Sequence, residues 1–144
     1  MHLLKSFIIA VCIICCATPA AFAQKGYAPF KYDAEDVMLS MNIKESAWAK
    51  KFAPVMQKHH RDPGDVVEWV GVFDIIVGMK DPDLYETGHL TFDSDENIVK
   101  ISATQTEEAD AIMKALRPVI ASPDKLDAFL TDFEATLEKA KKKK

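Results

Sequence analysis

All three cysteines of this chain, Cys12, Cys15 and Cys16, lie inside one apolar stretch near its start, and the remaining sequence has none. That stretch, Phe7 to Ala17, comes after Lys5 and before Ala21-Phe22-Ala23, the charged, apolar and A-x-A order of a secretory leader. As a helix it would be about 16 Å long, against a bilayer core of about 30 Å, so it suits a translocon better than an anchor. A lipid anchor on Cys15 or Cys16 is the competing reading, but Ile13 and Ile14 stand where small residues normally precede a lipidated cysteine. The expectation is cleavage after Ala23, a periplasmic or secreted location, and a mature body 24–144 without a thiol. Disulfide, redox and cysteine-nucleophile chemistry then fall away together, and the body must hold itself by its apolar core. At this size a chain buries roughly two-thirds of the surface it exposes unfolded, so an unstapled core is feasible.

Charge is unevenly distributed. Residues 24–138 carry 12 basic and 22 acidic side chains, whereas Lys139, Lys141, Lys142, Lys143 and Lys144 crowd the C-terminus. An acidic body is poorly suited to nucleic acid. The basic tail 139–144 is read as a solvated helix end whose cations suit the dipole; at most Lys141, Lys142, Lys143 and Lys144 give a weak, salt-sensitive contact with an anionic membrane.

Hydrophobic patterning predicts a single α+β domain over 24–144. Gln24 to Lys31 reads as an extended lead-in whose Tyr27 and Phe30 pack back onto the core. A first, N-terminal helix is expected from Asp33, which can cap it ahead of Glu35 and Asp36, with Val37, Met41, Trp48, Phe52, Val55 and Met56 as its stripe and a kink or break at 42–46 or 53–54. His59 to Asp65, with Pro63 and Gly64, is a turn. Val66 to Val77 places Glu68 and Asp74 on even positions and is rich in Val and Ile, which favours a strand; a buried helix with Val66, Trp69, Val70 and Phe73 on one side is the alternative. Tyr85–Phe92 and Ile98–Ala103 are two further strands of a three-stranded antiparallel meander, joined through Asp93 to Asn97. Thr104 and Glu107 have capping-box spacing before a helix carrying Ile112, Leu116 and Val119. Ser122-Pro123 starts a last helix whose stripe is Leu126, Phe129, Leu130, Phe133, Leu137 and Ala140. The two C-terminal helices are expected to cover one face of the sheet.

Chemistry is sparsely signalled. Met56, His59 and His60, a thioether and two imidazoles at a helix end, are the candidate ligands for a soft metal such as copper(I). Asp93, Asp95 and Asn97 copy the opening ligands of a calcium loop, but Ile98 and Thr104 stand where that loop needs Gly and Glu. There is no G-x-S-x-G, no H-E-x-x-H and no glycine-rich phosphate loop. Neither a catalytic residue nor a cofactor is expected. The aromatic side chains fall at core spacings, so a filled interior is expected over a ligand pocket. Together these features lead to the expectation of an exported, non-enzymatic protein of the cell envelope that binds a protein partner or a small apolar ligand. A metal-binding protein using Met56, His59 and His60 and an enzyme of unrecognised type are the alternatives, and the oligomeric state is left open.

Overall fold

The computed structural model describes residues 26–144, and the expected leader 1–23 lies outside them. The first departure from expectation is at Asp33. Its carboxylate does accept backbone N–H groups, from Glu35 at 2.9 Å and Asp36 at 3.3 Å, as a helix cap would. Here the same local bonds close a turn between β1 (Lys31–Asp33) and β2 (Met38–Asn42). Val37 leaves that turn with φ of 47°, outside helical backbone, so the N-terminal helix expected from Asp33 is replaced by a hairpin. β2 ends at Asn42 and the helix begins only at Ala47, so the expected kink within one long helix is a junction between a strand and a helix. Ser46 accepts from Ala49 N at 3.1 Å and starts α1 (Ala47–Lys58), which runs through Pro54 without ending.

Val66 to Val77 is helical, not extended. α2 (Val66–Lys80) has Asp65 as its N-cap, accepting from Val67 N at 2.9 Å, with Glu68 in its first turn and Lys80 in its last. Its buried side chains, Val66, Trp69, Val72, Phe73, Ile76 and Val77, recur at intervals of three and four. The β-branched content points to a strand; the caps and the sheet beneath decide for a helix.

α3 (Pro82–Thr87) takes the first part of the expected second strand, with Asp81 as its cap. The strand itself is β3 (Thr91–Asp95), paired with β4 (Ile98–Ser102) so that Phe92 faces Ile101. Strands continue to Asp95 and resume at Ile98, leaving Glu96-Asn97 as the connection. The sheet has four strands, not three, in the order β1-β2-β4-β3, all antiparallel. β2 and β4 pair at its centre, placing buried Leu39 beside Ile101 and Met41 beside Val99.

α4 (Thr106–Ile120) starts later than the capping-box spacing suggests. Thr104 Oγ1 donates to Glu108 at 2.7 Å, and Gln105 is the N-cap without a side-chain bond. α5 (Pro123–Lys141) is as read, with Ser122 accepting from Lys125 N at 3.3 Å. The expected layering is corrected: α2 lies against β3 and β4, α4 packs on α2, and α5 packs on α4 and α1. A sheet face this narrow is filled by the most apolar helix, so α5 forms an outer layer. Tyr27 and Phe30 fold onto the core as expected, the Tyr27 hydroxyl donating to Asp110 and its ring stacking on Tyr32.

Glu96 has φ of 51° and an exposed side chain. A left-handed conformation costs an L-residue about 1–2 kcal/mol, and glycine avoids that at some cost in unfolded-state entropy. Glu96→Gly is expected to raise the unfolding free energy by about 0.5–1 kcal/mol, measured by urea denaturation.

Candidate functional site

The three sequence-predicted metal candidates are handled differently by the fold. Met56 is fully buried in the core, His59 is buried at the end of α1, and His60 is exposed in the turn with φ of 57°. Both nitrogens of His59 are engaged: Nε2 lies 2.7 Å from Asp127 Oδ1 and Nδ1 2.9 Å from Glu134 Oε1. Lys58 Nζ meets the other oxygen of Asp127 at 2.6 Å. His59 and Lys58 thus gather against the two carboxylates of α5. A site using all three candidates would first have to break both His59 pairs. Among the described residues, no group of three or more His, Cys, Asp or Glu side chains is arranged to hold a metal ion. Of the calcium-like residues, Asp93 and Asp95 belong to β3, and Asp95 pairs with Lys100 at 2.9 Å.

Asp127 and Glu134 lie 68 and 75 residues beyond His59, which is why sequence spacing does not reveal them. The clamp pins the end of α1 to the middle of α5. It fastens the two helices, with both ring nitrogens hydrogen-bonded to carboxylates.

A second feature lies on the outward side of α2. Val67 is 61% exposed and Met79 50%, while Gly71, Asp74, Ile75 and Gly78 between them are half-buried. These positions recur along one stripe opposite the buried one, so the helix is apolar on both sides. A side chain added at Gly71 would meet no described atom within 4 Å. Toward the helix end the stripe opens into a groove of about 240 Å³ lined by Asp74, Ile75, Gly78, Met79, Tyr85 and Phe133. It adjoins a second hollow of about 190 Å³ between Met79, Lys80 and the α5 residues Phe129, Asp132, Phe133 and Thr136.

Asp74 sits in this apolar setting with Oδ1 buried and without a hydrogen-bond partner among the described residues. The carboxylate, as hydrogen-bond partner and as charge, raises the Tyr85 phenol above its ordinary value.

The chain matches no family model, no curated protein and no solved structure. Its function therefore rests on geometry alone.

A third hollow, about 590 Å³, opens on the outer sheet face between Lys31, Ser40, Asn42, Ile98 and the start of α1 near Trp48. It is bordered by polar strand residues, and the other core aromatics turn away from it to pack on one another. Trp48 stacks on Phe52 at 4.1 Å between centroids, and Trp69 lies 5.4 Å from Trp48 and 6.2 Å from Phe73. The interior is filled by its aromatics. Among the described residues, no helix is long and apolar enough to cross a membrane.

The hydrogen bond from Lys58, then that from His59, holds the Asp127 carboxyl below the usual carboxylate range. A depressed folded value means that its ionised form contributes stability above about pH 4 that is lost as acid protonates it. Urea unfolding from pH 6 to about pH 3 is expected to show that loss, with a shallower decline in Asp127→Asn. His59→Ala, which leaves two carboxylates without their shared partner and a cavity behind, is expected to cost about 2–3 kcal/mol at neutral pH.

Proposed function

We propose that this chain is an exported, non-enzymatic binding protein of the cell envelope, and that it engages a protein partner through the outward face of α2 and the groove beside it. The observation that carries this reading is the second apolar stripe of α2, from Val67 through Ile75 to Met79, which among the described residues is exposed at both ends and half-buried at Ile75. Burying such side chains contributes about 25 cal/mol per Å² of apolar area, and a helix serving only its own fold would carry polar residues there. A protein partner is favoured over a small apolar ligand by form: the stripe runs along α2 for about 18 Å at 1.5 Å per residue, and the hollows at its end are shallow and open. Export rests on the charged, apolar and A-x-A order of residues 1–23.

A photo-crosslinking residue placed at Val67 or Ile75 of the full-length chain, expressed in its own cells, tests the surface. Protein adducts are expected from these positions and not from Lys100 on the outer sheet face. Adducts from Lys100 alone, or from no position, would overturn the reading.

A further inference from the structure

The docking face of α2 has a matching shape elsewhere on the same chain. α5 continues to Lys141, but its last buried residue is Leu130. The helix beyond Leu130, about 16 Å at 1.5 Å per residue, covers no core. It still carries an apolar stripe. Phe133 is half-buried, Leu137 is 43% exposed and Ala140 is exposed, at the spacing of one helix face. Isolated helical ends of this length are marginal in water, and most helical stability comes from packing an apolar face. Around and beyond the stripe lie Lys139, Lys141, Lys142, Lys143 and Lys144, of which Lys141 meets Glu138 at 3.8 Å.

The receptor side has the complementary set. It offers an apolar stripe, a gap over Gly71 where another backbone can approach, and in the middle a carboxylate oxygen, Asp74 Oδ1, buried without a partner among the described residues. The Tyr85 phenol already lies against this carboxylate, whose negative charge attracts an ammonium group on an approaching amphipathic helix. Asp132 stands with Lys80 at the adjoining hollow, so the negative charge that meets the tail comes from Asp74 and from the body as a whole. The 12 basic and 22 acidic residues of 24–138 give the whole body a sign opposite to the tail.

We propose that the groove is occupied by the basic end of α5 from a second copy of this chain, in a reciprocal dimer in which each copy lends its α5 end and receives the other's on α2. This rests on the reading of α2 as a protein-docking face and names the occupant. In the dimer, Leu137 of one copy lies on Ile75 and Met79 of the other, and a tail lysine reaches Asp74. In this reciprocal arrangement the two identical contacts are related by a two-fold axis, which is what closes the assembly at two copies rather than letting it run on as a chain. Phe133 borders its own groove and begins its own exposed stripe, so donor and receptor surfaces are continuous.

Sedimentation velocity of the purified full-length chain at micromolar concentration and low salt is expected to give a dimer that weakens as salt is raised. Leu137→Glu disables the donor and Met79→Lys the receptor; both residues are well exposed, so the melting profile of each monomer serves as the folding control. Each variant alone is expected to associate at least about tenfold more weakly. An equimolar mixture is expected to recover part of the dimer, since one intact α5 end then meets one intact groove. Val67→Glu provides a second receptor variant should Met79→Lys fail to fold. A monomeric wild type, variants that associate like wild type, or a mixture that recovers nothing would each overturn the proposal. A monomer that crosslinks a different protein through Val67 or Ile75 would remove the second copy while leaving α2 as a docking face.

Discussion

The structure depends on burying one side of α2. Trp69, Phe73, Ile76 and Val77 are fully buried within the layer made by Leu39, Val99 and Ile101 on the sheet and by α4 on the other flank. Each such side chain contributes on the order of 1.5–3 kcal/mol by leaving water. The aromatic set of Phe30, Trp48, Phe52, Trp69 and Phe73 interlocks by stacked and edge-on contacts across α1, α2 and the lead-in to β1. Once α2 occupies the sheet, α4 and α5 have only helix surface left to cover, and this produces the outer helical layer. The His59 clamp then becomes necessary. α5 meets its neighbours through few deeply buried residues, Leu126 and Leu130, and the carboxylates of Asp127 and Glu134 add a fixed polar seam to α1.

Sequence reasoning succeeds where structure is local and fails where a local signal has two outcomes. Ser122-Pro123 is legible because a cap and a first-turn proline act within four residues. Ser46 caps α1 just as locally, but within an expected longer helix it reads only as a polar interruption of the stripe. At Asp33 the carboxylate makes the anticipated bonds, but an Asx turn and an N-cap use the same acceptor and the same donors, and only the pairing of β1 with β2 separates them. Val66 to Val77 misleads for a related reason. Its two acidic residues both fall on even positions, which mimics a strand's alternation, and β-branching adds to that bias although the length and the flanking Asp65 fit a helix. The candidate sites divide similarly. The His59 clamp joins residues from opposite ends of the body and has no sequence signature, whereas the docking stripe is present in the even-handed apolarity of α2, a pattern that full burial would produce equally well.

The exposed half of α2 is a property of the amino acids, not of the fold. Nothing in the packing of Val67, Gly71 or Met79 requires an apolar or small residue, since an arginine or glutamate at a solvent-facing helical position would serve the interior equally well. Scattered apolar residues on a surface call for no explanation. Here they align along one helix, end in a groove, and surround the carboxylate of Asp74, which faces the Tyr85 phenol.

Two opposed requirements meet in that arrangement. An uncovered apolar stripe invites indiscriminate association, while the strongly acidic body holds copies apart except where a cationic helix approaches. Charge thereby selects the partner and apolar area holds it. Steering by exposed charges fades with salt, whereas contact along Ile75 and Met79 does not, so the two contributions act at different stages of association. In the proposed dimer the acidic excess over 24–138 and the lysines at 139–144 form one device: the same separation of charge that keeps unlike surfaces apart brings the α5 end and the α2 face together.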